Sequence, residues 1–461
     1  MTAAQAFSVS GKKVVVVGAA RSGVAAAELL VRRGASVTLS DTRENIQEDA
    51  QLRAAGVDLE LGGHKAETFA AADLIVLSPG VPPAQPVIAQ ARAAGVPVMG
   101  ELELASRWLR GRIVAITGTK GKSTTTTLIG RMLEAGGHRV LVGGNIGHAL
   151  SAQVDDSTDD TIHVVETSSF QLESVETFHP WIAVLLNFSP DHLDRHADIS
   201  EYAAAKARIF TNQVREDWAV LNADDEPSHV LAQEAHAQRL LFSTQHDLPE
   251  GVIVSGGAIV RRSGGGDQVL VPLSSVKLLG RHLLADVVAA AAVASIAGVT
   301  SAAMTHAVET FTGLEHALEP VARIGGVSFV NDSKATNIES ALRAIESFDS
   351  GLVVILGGRF KGGDFGQLRQ PLSERQAAVV AIGEAAPLVR DALAPTVPVM
   401  DAADMVAAVR TAFAAASPGT TVLLAPACSS FDMFKDYADR GRVFKQTVAK
   451  LEDEWNGTRE Q

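Results

Sequence analysis

The chain has 461 residues, 46% hydrophobic and 20% charged, with a formal net charge of -13. This balance excludes a disordered chain, and at about 100 to 200 residues per domain it predicts three domains. The charge argues against a nucleic-acid surface, which needs clustered Lys and Arg, and one cysteine, Cys428, excludes an internal disulfide or Cys-based zinc cluster and points to the cytoplasm.

Lys12 and Lys13 lead directly into the β-branched run Val14 to Val17, so no signal core is read there. Gly18, a small-residue turn and an Ala/Leu-rich helical stretch to Arg33 follow, with Gly34 placed to cap it. A second strand, Ser36 to Leu39, delivers Asp41 about 20 positions after the turn, as a Rossmann-like βαβ unit does. The turn Gly18-Ala19-Ala20-Arg21-Ser22-Gly23 has Ala20 where a dinucleotide fingerprint needs its second Gly, so NAD is not expected. Two readings stay open on the turn alone: a segment that only packs, and one that contacts a ribose or base through Asp41, Thr42 and Arg43.

The apolar run Ile113 to Ile116 ends in Gly118-Thr119-Lys120-Gly121-Lys122-Ser123, followed by Thr124 and a helix. A strand, this glycine loop and a helix form a phosphate cradle. Backbone N–H groups turn inward, Lys122 reaches the β- and γ-phosphates of ATP, and the hydroxyl of Ser123 or Thr124 meets Mg2+. Further strand-like runs end at Glu166 and Asn187. Glu166, at a strand end, is the leading Mg2+ candidate, and His192 is a candidate metal ligand or substrate contact. The Ala/Val-rich stretch Val287 to Val299 is shorter than the ~20 residues of a membrane span and reads as a buried helix, so no membrane insertion is expected. From about Gly313 the pattern alternates again, with strands expected at Val327–Val330, Leu352–Leu356, Val379–Ile382 and Thr421–Leu424. The expected domains are 1–103, 104–313 and 314–461.

The order of motifs resembles the Mur ligases. It runs through Gly118–Thr124, Gly143-Gly144-Asn145-Ile146-Gly147, Glu166–Glu173, Asp191–Arg195, Leu221–Asp225, Asn331–Asn337 and Pro426–Ser430, nearly the whole chain. The resemblance implies an α/β protein with a Rossmann-like N-terminal domain holding UDP, a central P-loop ATPase-like domain holding ATP, and a Rossmann-like C-terminal domain that brings an amino acid. The implied activity is an ATP-dependent, ADP-forming amide ligation of peptidoglycan synthesis. Its implied ligands are UDP-N-acetylmuramoyl-L-alanine, D-glutamate, ATP and Mg2+, and a monomer is expected.

By position, Arg21, Ser22, Asp41, Thr42, Arg43 and Gly80 are the implied UDP contacts, and Asn145 and Ser168 those of the muramoyl-alanine part. Gly118 to Thr124, Asp286, Asp332 and Lys334 are the implied ATP contacts. Ser123, Glu166, His192 and a carbamylated Lys206 are the implied metal ligands. Local sequence alone would leave Lys206 on the surface. Thr336, Lys361, Ser430, Phe431 and Tyr437 match the residues that hold glutamate, Tyr437 standing where related enzymes often have Phe.

Two departures stand out. Ala317 occupies a position where the family usually has an Arg on the ATP phosphates, and Leu283 and Asp286 replace two usual Asn. Weaker ATP binding or slower turnover is expected from them unless another cation, such as Arg281, substitutes. A sibling ligase for another amino acid, such as L-glutamate, and a UDP-sugar-binding protein with weakened catalysis remain open at this point.

Overall fold

Four successive valines at Val14–Val17 are buried on both faces, the pattern of a parallel strand covered by helices. In a computed structural model, residues 7–190, 195–196, 198–277, 281–311 and 313–459 are described, without the side chains of 281, 282, 458 and 459. Asp191, His192 and Asp194 lie outside the described residues.

The described residues form three sheets. The first is wholly parallel, in the order β3-β2-β1-β4-β5, with β1 Lys13–Val17, β2 Ser36–Asp41, β3 Asp58–Leu61, β4 Leu74–Leu77 and β5 Val98–Gly100. Its first crossover is the helix Arg21–Arg32. This is the expected Rossmann-like βαβ unit.

The second sheet contains β6 Arg112–Thr117, β7 Arg139–Gly144, β8 Thr161–Glu166, β9 Ile182–Leu185, β10 Trp218–Asn222, β11 Gln238–Ser243, β12 Gly251–Ser255, β13 Ala258–Ser263 and β14 Gly266–Pro272. Their order is β14-β13-β12-β11-β10-β9-β6-β8-β7, placing β6 between β8 and β9. The run expected to end at Asn187 stops at Leu185, because Asn187 turns its side chain to the phosphate loop. Strands β12 to β14 are antiparallel, and the turn Gly256-Gly257 between the first two has φ of 57° and 77°, angles open to glycine. The Ala-rich segment is the helix Arg281–Ile296, buried from Val287 to Ala294.

The third sheet has β15 Glu319–Ile324, β16 Val327–Asn331, β17 Leu352–Gly357, β18 Ala378–Ile382, β19 Val399–Asp401 and β20 Thr421–Leu424, in the order β15-β16-β20-β17-β18-β19. Only β15 pairs antiparallel. The chain divides into two compact units, Met1–Val276 with Ala285–Glu309, and Lys277–Leu284 with Thr310–Gln461. No described helix is long and apolar enough to cross a membrane.

Within the first unit, side chains tie the first two sheets together. Arg32 and Arg33 each reach Asp155 at 2.8 Å, Glu101 accepts the Ser151 N–H at 2.6 Å, and Glu103 accepts the N–H groups of Glu176, Thr177 and Phe178.

Candidate active site

The phosphate loop joins β6 to the helix Lys122–Ala135, whose N-cap is Gly121. Gly118 and Gly121 have φ of 155° and 80°, which an L side chain rarely adopts. Space is also closed: a methyl group on Gly118 would lie 3.0 Å from Leu186 Cβ, and one on Gly121 would collide with the Asp286 carboxyl. Asn187, just past β9, braces the loop. Its Oδ1 accepts the N–H groups of Thr119 at 3.1 Å and Lys120 at 2.9 Å, and its Nδ2 donates to the Lys120 carbonyl at 3.2 Å.

Two lysines meet the carbonyl side of this loop. Lys122 Nζ donates to the carbonyls of Gly118 at 2.9 Å and Thr119 at 3.0 Å, and Lys206 Nζ donates to that of Gly118 at 2.8 Å. Lys206 is 1% exposed and its Nζ lies 4.7 Å from the Tyr202 ring centre, so this lysine is buried beside the glycine loop and not on the surface. The Tyr202 hydroxyl lies 3.3 Å from Thr119 Oγ1. Ser123 and Thr124 occupy the first turn of the helix, where backbone N–H groups have no intrahelical partner.

Strand β8 brings Glu166 beside the loop, its backbone paired with Ile116 of β6 on one side and Gly144 of β7 on the other. Glu166 is 1% exposed; Oε1 accepts from Asn145 Nδ2 at 2.7 Å, and Oε2 is buried with no hydrogen-bond partner among the described residues. A buried carboxylate oxygen with no donor among the described residues suits an oxygen-seeking divalent cation. Ser168 caps the short helix Ser169–Leu172, accepting from Gln171 N and donating to Gln171 Oε1. Asp286 is 4% exposed, and burial pushes its carboxyl well above the usual range. Burial therefore favours the neutral acid form of this side chain over the carboxylate.

In the first sheet the turn after β1 is shaped by contact. A methyl on Gly18 would press on Val81 and one on Gly23 would collide with the Gly18 carbonyl, so these two glycines pack the helix against the turn. Asp41 is 7% exposed; it accepts from Ala19 N at 2.6 Å and from Arg43 Nε at 3.0 Å and Nη2 at 2.9 Å. Its hydrogen bonds to Arg43, outweighing desolvation, hold its carboxyl far below the usual range. Thr42 lies between this pair, and Ser22 follows Arg21 in the first turn of the helix Arg21–Arg32. Arg21 Nη1 donates across to the Gly147 carbonyl at 2.6 Å. Gly80 is exposed after β4, beside Ser78 and Pro79, which line a cavity of about 310 Å3 together with Phe170, Gln171 and Arg195.

The remaining candidates lie in the second unit. Asp332 follows β16, is 9% exposed, and accepts from Leu318 N at 3.1 Å. Burial, only partly offset by that bond and by Lys334, pushes its carboxyl up to about 7. Lys334 and Lys361 are exposed, Thr336 is half-buried, Ser430 is buried, and Phe431 and Tyr437 are 60% and 42% exposed. Arg440, which the sequence reading missed, is 1% exposed and joins two of the motif loops. It donates to the hydroxyl of Ser333 at 2.9 Å and its carbonyl at 2.8 Å, and to the Cys428 carbonyl at 3.0 Å. Its position inside a polar helix gave no local signal; Asn187, also missed, stood openly at the end of an apolar run.

Family models described as Mur ligase MurD-like N-terminal domain, Mur ligase middle domain and Mur ligase glutamate ligase domain match residues 12–100, 116–294 and 318–428. The chain belongs to the Mur ligase family. This Mur ligase is 48% identical over 447 residues, 96% of its own length and 97% of the relative's, to a protein of Acidobacterium capsulatum named UDP-N-acetylmuramoylalanine--D-glutamate ligase. It is 45% identical over 451 residues, 97% and 99% of the two chains, to a protein of the same name from Koribacter versatilis. The solved UDP-N-acetylmuramate-alanine ligase of Thermotoga maritima shares its fold, with a TM-score of 0.59 at 18% identity over 95% and 100% of the two chains.

Proposed function

We propose that this Mur ligase joins D-glutamate to UDP-N-acetylmuramoyl-L-alanine in the cytoplasm, driven by ATP, as a step of peptidoglycan synthesis. Near-full-length identity of 48% to a protein named for that reaction carries the reading. The domains are proposed as 1–103, 104–313 and 314–461, and the working form as a monomer. The N-terminal turn with Arg21, Ser22, Asp41, Thr42, Arg43 and Gly80 takes the UDP part, and Asn145 and Ser168 the muramoyl-alanine part. The glycine loop takes ATP; Thr336, Lys361, Ser430, Phe431 and Tyr437 take glutamate.

In the proposed reaction the L-alanine carboxylate oxygen attacks the γ-phosphorus of ATP and the bond to the β,γ-bridging oxygen breaks, giving an acyl phosphate and ADP. Lys122 balances charge on the migrating phosphoryl group, and Asn145 holds the Glu166 carboxylate in place. Glu166 and Ser123, with His192 and a carbamylated Lys206, would hold Mg2+, which supplies charge neutralisation on the phosphates when bound. The amine of glutamate then attacks the acyl carbon, loses a proton, and phosphate leaves with its electron pair. Phosphate release from ATP, measured with UDP-N-acetylmuramoyl-L-alanine and each amino acid in turn, tests the reading. Release with D-glutamate alone supports it, release with L-glutamate or another amino acid selects a sibling activity, and no amino-acid-dependent release leaves only a binding protein.

Two substitutions in the second unit probe the ATP contacts assigned there. Ala317 sits between His316 and Leu318, which have φ of 65° and 45°, and Leu318 N is bonded to Asp332. Ala317→Arg is expected to lower KM for ATP about tenfold, the worth of one charge-assisted contact. An unchanged KM and kcat means that Ala317 is no deficit, Arg281 being a candidate replacement whose side chain lies outside the described residues.

Asp332 binds its proton more tightly in the folded chain, at about 7, than an ordinary aspartate does at 3.8. Its contribution to stability is therefore present below about 4, is lost as pH rises toward about 7, and is constant beyond. Asp332→Asn should gain Tm over the parent progressively across that window, reaching several degrees at pH 8. A difference independent of pH would refute a proton held at Asp332.

A further inference from the structure

Arg21 is the first residue of the helix Arg21–Arg32, at the turn assigned above to the UDP part, yet its Nη1 is bonded at 2.6 Å to the Gly147 carbonyl of the central segment. Gly147 belongs to a tight turn after β7, closed by Gly144 N donating to the His148 carbonyl at 2.9 Å. Asn145 in the same turn donates its backbone N–H to the Glu166 carbonyl at 2.9 Å and its Nδ2 to Glu166 Oε1 at 2.7 Å. The path from the Arg21 guanidinium to the Glu166 carboxylate is thus one short, hydrogen-bonded turn.

That turn is closely packed at its root. Methyl groups on Gly143 or Gly144 would collide with the His148 carbonyl, the Gln153 side chain or the Glu166 carbonyl. One residue, Ile146, stands between Gly147 and Asn145 in the chain, so the two are joined through a short stretch of this turn. A guanidinium has five N–H donors in a rigid fork, so one on Gly147 leaves others for a diphosphate at the helix N-terminus.

We propose that Arg21 couples the UDP-substrate site to the Glu166 site, as a positioning residue that fixes the turn carrying Asn145 when the diphosphate is bound. The inference rests on the function proposed above and adds a reciprocal linkage between the two ligands. The contacts from Arg32 and Arg33 to Asp155 join the same two segments without touching this turn, and so provide a control.

The test is calorimetric titration with Mg2+ and a non-hydrolysable ATP analogue, with and without saturating UDP-N-acetylmuramoyl-L-alanine. The parent chain is expected to bind the analogue about tenfold more tightly in the presence of the substrate, and the substrate by the same factor in the presence of the analogue. In Arg21→Ala this factor should fall to within about twofold of unity, with affinity for the analogue alone unchanged. Arg21→Lys, with one ammonium instead of a fork, should retain most substrate affinity and still lose the coupling. Arg32→Ala should keep it. Full coupling in Arg21→Ala, or none in a parent chain that makes product, overturns the inference while leaving the function standing; a parent chain that binds no UDP-substrate removes both.

Discussion

Lys122→Met is expected to lower kcat for ATP-dependent phosphate release by about 10^3-fold, the loss typical when one preorganised charge or donor is removed from a transition state. KM for ATP should change much less. The loop glycines, the N–H groups of the helix start and the Asn187 brace remain, so much ground-state phosphate binding survives the substitution. What is lost is the ammonium, which in the structure rests on the carbonyls of Gly118 and Thr119 at the mouth of the helix. Met keeps the length and apolar stem of Lys, and thermal unfolding should show a Tm within a few degrees of the parent. A raised KM for ATP with kcat unchanged would mean that Lys122 serves binding uniformly. A loss under tenfold would remove it from the phosphoryl-transfer step.

The strands that carry this chemistry were legible because their residues repeat a simple physical pattern. Val14–Val17, Ile113–Ile116 and Leu352–Leu356 are short β-branched or apolar runs with a glycine one or two positions on, and each is a strand buried on both faces and paired in parallel. The turn between β12 and β13 also announced itself, through Gly256-Gly257, but the antiparallel extension it begins carries none of the motif residues and was not read. Side-chain placement was less legible. Lys206 lies in a helix of ordinary composition, and only the three-dimensional approach of Ile199–Ala207 to the glycine loop explains its burial. Arg440 is a charged residue in a polar helix, yet it is enclosed by Ser333 and Cys428, which stand 107 and 12 positions away in sequence. Contacts at such separations leave no periodic trace. Asp286 shows the opposite failure: its identity was noted, but its charge state depends on an environment that spacing does not encode.

Glu166→Gln separates chemistry from stability, because the two should move in opposite directions. Glu166 is enclosed with one carboxylate oxygen bonded to Asn145 and the other with no partner among the described residues, an arrangement in which an ionised group forgoes solvation for little local return. Exchanging the carboxylate for an isosteric amide lowers that desolvation penalty, so the ligand-free variant should unfold at a Tm equal to or above that of the parent. Turnover should nevertheless fall about 10^3-fold, since an amide supplies an oxygen without the negative charge that a divalent cation requires. Raising the Mg2+ concentration should recover only part of that activity. Asn145→Ala makes the complementary comparison: it leaves the charge but frees the carboxylate to turn, and its loss should be smaller, about 10 to 10^2-fold, with a lower Tm from the unpaired buried oxygen. A destabilised Glu166→Gln with near-parent turnover would assign this carboxylate to the scaffold of β8 and leave the metal to other ligands. A stable, inactive variant beside a less stable, partly active Asn145→Ala would place the two residues in order, the carboxylate on the ion and the amide behind it.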